Sequence, residues 1–455
     1  MSARATGLRM LVGVAVVALV AMGCTPGSDS GPASPPPSPS ATGVIETEPV
    51  TLTVWDQETG RVSKIWDQLN AEFEAEYPNV TIERVTKSFG DLKTSLKLAV
   101  SGPNPPDVVE ANQGWPDMGA LVKAGLLLPL DGYAEAYGWF ERVPENVNAV
   151  NSFTPDGKQF GTGSLFGFTG MGELIGVFYN KPMLAELGLT VPATLEEFEQ
   201  ALEVAKQAGE VPIAFGNLDK FAGIHEFAAV QNVIAPETYL TDLIFSRQGP
   251  DLSFDTPENR EAADVLRDWS EKGYFTEGFN GVGYDDTVAK FVEGEGLFMI
   301  TGNWIVANIG QDNTDFGFFV MPPVNAGDPP VTTGGPGFPL AIASAAEHPD
   351  VAAAYIDWMT SDHAGQLLIP TGQIPLYIGA DTSAIPSDTV LGELLAEADR
   401  VSQANGLVPY EDWATPTFYD TMTAAIQELM GLEIDTAEFV SDIDADYAEF
   451  QASRT

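Results

Sequence analysis

Four of the eight tryptophans fall in predicted loops with a carboxylate or amide beside them: Trp55 by Asp56, Trp115 by Gln113, Trp304 by Asn303, and Trp413 by Asp412. A flat ring offers an apolar face and its polar neighbour a hydrogen-bonding group. That combination suits a molecule with several hydroxyls and one or two C–H faces, and with a carboxylate as the neighbour it also suits a cation. Trp66, Trp269 and Trp358 lie instead on apolar helical faces and read as core, and Trp139 reads as packing.

Other chemistry is poorly supplied. The three histidines, His225, His348 and His363, are far apart and show no metal-ligand spacing, so no metal and no cofactor is expected. No Gly-x-Ser-x-Gly elbow occurs, and Gly161-Thr162-Gly163-Ser164 lacks the strand-to-helix setting of a phosphate loop. A pair of carboxylates acting on a glycosidic bond stays open among 65 acidic residues.

The single cysteine, Cys24, follows Arg4, Arg9, an apolar run from Met10 to Met22, and Gly23. This is the layout of an export leader, too short to span a bilayer as a helix. A thiol placed directly after small residues can be acylated, and Ala21-Met22-Gly23-Cys24 resembles a bacterial lipobox, with Ala21 where Leu is commonest. Residues 1–23 are therefore expected to be a lipoprotein signal peptide and Cys24 the lipid-attachment site. Residues 24–49 are rich in Pro, Ser and Gly and read as a tether, extended where proline dominates. With one cysteine there is no disulfide, so core burial must hold the fold.

Against 65 acidic residues stand 21 Lys and Arg, a formal net charge of −44. Such a surface disfavours nucleic acid and anionic membranes, and its self-repulsion favours a monomer. From Val50 onward the chain is too long for one small core and implies two domains. Val50, Leu52 and Val54 alternate as a strand; Val62, Ile65, Trp66, Leu69 and Phe73 recur at helical spacing up to Tyr77-Pro78; Val80 and Ile82 open another strand. Leu92, Leu96 and Val100 form a helical face before the strand Asp107-Val108-Val109. Thr194 and Glu197 form a capping box, Thr256-Pro257 opens a helix that ends at Gly273, and Leu297 to Ile300 is a strand leading to the turn Gly302-Asn303-Trp304. Strands alternating with helices give an α/β fold with parallel pairing, whose ligands sit at the carboxyl ends of strands. That rule points to Trp55-Asp56-Gln57 and Asn112 to Trp115.

An ordered set of segments resembles the family 1 extracellular solute-binding proteins, the maltose-binding-protein type of ABC importer receptor. The segments include Trp55-Asp56, Glu76-Tyr77-Pro78-Asn79-Val80, Pro106-Asp107-Val108-Val109, Ala124-Gly125-Leu126, Asp156-Gly157-Lys158, Val177 to Lys181, Phe291 to Glu295, Gly302-Asn303-Trp304, Met321-Pro322 and Gly334-Gly335. The resemblance implies a two-lobe periplasmic-binding-protein fold of type II with hinge strands between the lobes. Residues 50–165 plus 322–365 would form lobe 1, and 166–321 plus 366–455 lobe 2. It further implies a lipid-anchored receptor on the extracellular face of the cell membrane that closes over a mono- or oligosaccharide and delivers it to the transmembrane subunits of an ABC permease. Such a receptor is not an enzyme, and it touches the membrane only through its lipid.

Carried residue by residue, the likeness marks Trp304, in its Gly-x-Trp segment, for stacking, and Asn112, Gln113 and Trp115 for hydroxyl contacts. Asp56 would accept vicinal hydroxyls, or else act as a helix N-cap. Trp55, Asp219 and Trp413 complete the expected set, with Gly335 for close backbone approach or a plain turn. Two alternatives stay open: a receptor for a polyamine or other cationic solute, favoured by the acidic balance, and a secreted glycoside hydrolase.

Overall fold

The computed structural model describes residues 48–236, 238–246, 252–376 and 381–454. The leader, Cys24 and the tether up to residue 47 lie outside the described residues.

Among the described residues twelve strands follow in chain order. They are β1 (Val50–Asp56), β2 (Val80–Thr86), β3 (Val108–Glu110), β4 (Ser152–Phe153), β5 (Ser164–Leu165), β6 (Met171–Asn180), β7 (Phe298–Gly302), β8 (Phe316–Phe319), β9 (Thr332–Pro336), β10 (Leu340–Ile342), β11 (Ile374–Pro375) and β12 (Leu407–Val408). The first sheet has the order β10-β3-β1-β2. In it β1 pairs parallel with β2 from Val50 opposite Val80 to Asp56 opposite Thr86, while β10 runs antiparallel to β3. The helix Gly60–Glu76 makes the crossover between β1 and β2 and buries Val62, Trp66, Leu69 and Phe73. Full burial of a side chain such as Leu69 or Phe73 contributes about 1.5–3 kcal/mol. The helices Pro349–Met359 and Asp362–Leu368 pack on that same helix.

β6 is the spine of the second sheet. It is buried along its whole length except for Glu173, as befits a strand covered on both faces. Its first residues pair with β9 and β11, and its later ones, from Ile175, with β7 and β8. The helix Leu195–Ala208 starts as expected, with the Thr194 hydroxyl accepting from the Glu197 amide at 3.2 Å, and it buries Leu195, Phe198, Ala201, Leu202 and Ala205. The helix Pro257–Glu271 is likewise capped by Thr256 and buries Trp269. A helix with no clear sequence signal, Phe221–Ile234, sits at the middle of this body and packs on the helices Pro257–Glu271 and Phe418–Met430.

The chain runs from β5, which ends at Leu165, to β6, which begins at Met171, and between them Phe168 still bridges Leu340 of the first sheet. For the second crossing, the sequence reading returned the chain to the first lobe from Pro322. In the structure β9 still pairs with β6, and the chain joins the first sheet only at Leu340. Among the described residues no helix is long and apolar enough to cross a membrane, and no group of three His, Cys, Asp or Glu side chains is placed to hold a metal ion.

Candidate functional site

The loop leaving β1 is organised by one arginine. Arg84, on β2, donates through Nε and Nη2 to the two oxygens of Asp56, both at 2.7 Å, and through Nη1 to Ser63 Oγ at 2.8 Å and Asp67 Oδ1 at 2.9 Å. Nη2 also donates to the Glu58 carbonyl at 2.8 Å. Asp56 is fully buried. Its Oδ1 accepts from the Glu58 amide at 2.9 Å, and the Gln57 amide donates to Glu110 Oε2 at 2.8 Å. These bonds curl the loop so that the half-buried Glu58 side chain comes beside Glu110, at the end of β3.

Glu58 and Glu110 line a cavity of about 60 Å³ at the carboxyl ends of β1 and β3, together with Glu173 of β6, Phe338 and Gln373. Burial pushes the Glu58 carboxyl up to about 7, with repulsion from Asp56 adding to it and Arg84 opposing. Burial likewise holds Glu110 well above the ordinary range, with Glu58 and Asp56 adding. Glu173 is pushed up to about 8, again chiefly by burial; Tyr410 opposes the shift and Glu58 reinforces it. Crowded acids in a low-dielectric setting hold protons that isolated acids release.

A second cavity of about 220 Å³ shares Glu110 and Phe338 with the first and is otherwise lined by residues including Phe89, Lys93, Asn112 and Asp117. Its Phe89 packs against rings of the second body. Phe89 meets Phe221 and Tyr419 at ring separations of 5.8 and 6.4 Å, and Lys93 Nζ lies 4.1 Å from the Tyr419 ring centre while pairing with Asp117 at 2.5 Å. These contacts join the helix Phe89–Val100 of the first body to the helices Phe221–Ile234 and Phe418–Met430 of the second.

The turn after β7 presents Trp304. Asn303 is fully buried: its Oδ1 accepts from the Leu174 amide at 2.9 Å and its Nδ2 donates to the Gly372 carbonyl at 2.8 Å. Trp304 is half-buried, and its Nε1 donates to the Tyr284 hydroxyl at 2.7 Å. The indole folds back over the strand end because residue 302 is glycine; a Cβ there would lie 1.9 Å from the ring. His225 stands 5.4 Å from the Trp304 ring and 6.3 Å from that of Tyr410. Burial pushes the histidine down to about 3, so it is neutral.

The nine loop residues singled out from sequence are dispersed. Asn112 lines the second cavity and donates to Asp117 at 2.9 Å. Gly335 stands opposite Glu173 in the β6–β9 register, and its missing Cβ would meet nothing within 4 Å, which leaves the face beside Glu173 uncovered. Its φ of 152° also favours glycine. Trp304 lines neither cavity and is connected to Phe89 of the second through Tyr284 and Phe221. Asp56 is turned away from the cavities onto Arg84. Gln113 is buried and donates to the Pro336 and Gly337 carbonyls at 3.1 and 3.0 Å, tying the loop after β3 to the crossing strand. Trp115 is buried against Phe153 and Phe450 with Arg454 over its ring, and Trp413 is buried against Tyr410. Trp55 carries Lys87 at 4.4 Å over its ring and lines neither cavity. Asp219 accepts from the Tyr284 amide at 2.8 Å, at the start of the helix Tyr284–Val292. Glu58, Glu110, Glu173, Phe89 and Phe338 were not singled out. Glu110 did carry a signal, as a carboxylate within the buried strand Val108-Val109-Glu110.

A cleft at the carboxyl ends of strands, between two α/β bodies joined by β6 and β9, is the arrangement that the motif order implied. The model of the bacterial extracellular solute-binding proteins matches residues 57–366. The chain belongs to that family. A multiple sugar-binding protein of Streptococcus mutans is 24% identical over 65% of this chain and 67% of its own length. An uncharacterized ABC transporter extracellular-binding protein of Pyrococcus horikoshii is 22% identical over 88% of this chain and 86% of its own. Among solved structures, a chitin oligosaccharide binding protein superposes with a TM-score of 0.77 at 22% identity, covering 89% of this chain and 99% of that one. The two-lobe fold of these solute-binding proteins is thus the fold of this chain.

Proposed function

We propose that this solute-binding protein captures a mono- or oligosaccharide between its lobes and hands it to the transmembrane subunits of an ABC permease. The observation that carries the reading is the half-buried Trp304 ring. It is fixed by Asn303, Gly302 and Tyr284, and the Tyr284 and Phe221 rings connect it to Phe89 at the cavity lined by Lys93, Glu110, Asn112 and Asp117. A sugar needs both features, an apolar plane for its C–H face and several hydrogen-bonding groups around its rim. The relatives named for sugar binding support the same reading.

In this account Trp304 stacks, Asn112, Glu58, Glu110 and Glu173 bond hydroxyls, and Gly335 leaves space for the ligand beside Glu173. Asp56, Gln113, Trp115 and Trp413 hold the walls in place. Ligand contacts to both lobes shift the balance between open and closed forms, so the protein acts by binding and release and not by catalysis. Cys24 carries the lipid that keeps a monomeric receptor on the extracellular face of the membrane, and the tether gives it reach.

Thermal-shift screening of the chain from Val50 onward against sugars and polyamines tests the proposal, because a ligand that binds only the folded state raises the melting temperature. A shift with at least one saccharide is expected. A shift with spermidine and none with any sugar would overturn it.

A further inference from the structure

The second cavity, of about 220 Å³, has a lining unlike that of the first. Leu92 and Leu96, one turn apart on the helix Phe89–Val100, supply part of it, and Pro116, Ala120 and Leu121, from the segment that follows β3, supply more. Phe338 lines both cavities, and its ring lies 5.9 Å from that of Phe89.

The polar groups of this lining are already engaged. Lys93 pairs with Asp117 at 2.5 Å, and Asn112 donates to the same carboxylate at 2.9 Å. Thr94 donates to the Gly90 carbonyl of its own helix at 2.9 Å, and Glu110 accepts from the Gln57 amide at 2.8 Å. Lys97 is exposed and keeps its ammonium in water. What is left for a solute to cover is chiefly hydrocarbon.

A hydroxylated ring placed there would turn hydroxyls toward leucine side chains that offer them no partner, which costs binding. A planar hydrocarbon group meets no such cost. An apolar cavity of about 150 Å³ is large enough for benzene, so one of about 220 Å³ admits a phenyl-sized group together with the bond that carries it. Because Glu110 and Phe338 line both cavities, a solute whose sugar bonds Glu110 can carry a substituent past Phe338 into the second. We infer that the second cavity is a subsite for an aryl group attached to the saccharide, which makes an aryl glycoside the substrate class of the receptor. This inference rests on the carbohydrate reading above and narrows it.

Isothermal titration of the soluble chain tests it with matched phenyl and methyl β-glycosides of glucose, galactose, xylose and cellobiose, and with spermidine. For at least one sugar the phenyl glycoside is expected to bind about tenfold or more tighter than its methyl partner, the margin that burial of one aromatic ring supplies. Ala120→Leu, whose larger side chain takes up part of the cavity, should cut that margin to about twofold or less; Thr94→Phe serves the same purpose if the first variant does not fold. Methyl glycosides that bind as tightly as their phenyl partners would overturn the inference and leave the carbohydrate reading standing. A margin that survives in the folded variant would put the aryl group elsewhere, against Trp304 for instance, and would overturn the inference in the same way. Binding of spermidine and of no glycoside would overturn both. Binding of no member of the panel by a cooperatively folded protein would overturn the inference.

Discussion

The loop that leaves β1 and the turn that leaves β7 each follow a strand of one of the two sheets, yet they are fixed by different forces. In the first, the Asp56–Arg84 ion pair curls the backbone and sets Glu58 beside Glu110. In the second, neutral groups do the holding, through the amide of Asn303, the glycine at 302 and the hydroxyl of Tyr284 behind Trp304. A loop held by charge answers to pH and to loss of a single partner. A turn held by packing and neutral hydrogen bonds is far less sensitive to either.

The sharpest way to break this contrast is Asp56→Ala. Arg84, whose side chain is 9% exposed, would keep only Asp67 as a charged partner. Breaking a buried pair from one side destabilises by about 3–5 kcal/mol, so urea unfolding should show a loss of that order. A loss below about 1 kcal/mol would mean that the pair does not hold the loop. Trp304→Ala should act on the other property. Loss of the ring's apolar contact is expected to weaken saccharide binding by about 1.5–3 kcal/mol in titration calorimetry, with a smaller change in unfolding than Asp56→Ala gives. Unchanged affinity would remove Trp304 from the site.

The smallest effect expected is a slope against pH. In the folded chain Glu58 and Glu173 titrate near about 7 and about 8, above the value of about 4.3 for glutamate in an unfolded chain. The folded state therefore binds more protons between these limits, and stability must fall as pH rises through that window before levelling off. A Glu58→Gln, Glu173→Gln double variant mimics the protonated acids and should lose less melting temperature between pH 5 and pH 8 than the parent. Identical slopes would show that these acids are not proton-loaded.

The α/β architecture was legible because its markers are local. Thr194 and Thr256 cap helices, Val50 to Val54 alternate, and the Gly302-Asn303-Trp304 turn follows its strand as expected. The helix Phe221–Ile234 left no period because it is buried nearly all round, from Ala222 to Asn232. The site was less legible still. Residue type and loop position marked Asp56, but the partner that turns it inward, Arg84, lies 28 residues away. Glu58, two residues on, takes the place at the cavity. Trp115 and Trp413 carry the composition of a stacking residue and are enclosed by rings from Phe450 and Tyr410, neighbours that no local pattern predicts.

The contacts of Phe89 and Lys93 with Phe221 and Tyr419 have a consequence in time. These ring and cation contacts bridge the two bodies, so parting the bodies to release a solute requires their rupture even though none of them need touch the solute. Affinity differences among related complexes reside mostly in the dissociation rate. The rim of the cleft is thus a place where residence time can be tuned independently of the groups that recognise the cargo, and a receptor feeding a transporter needs that time to be long enough for docking and short enough for release.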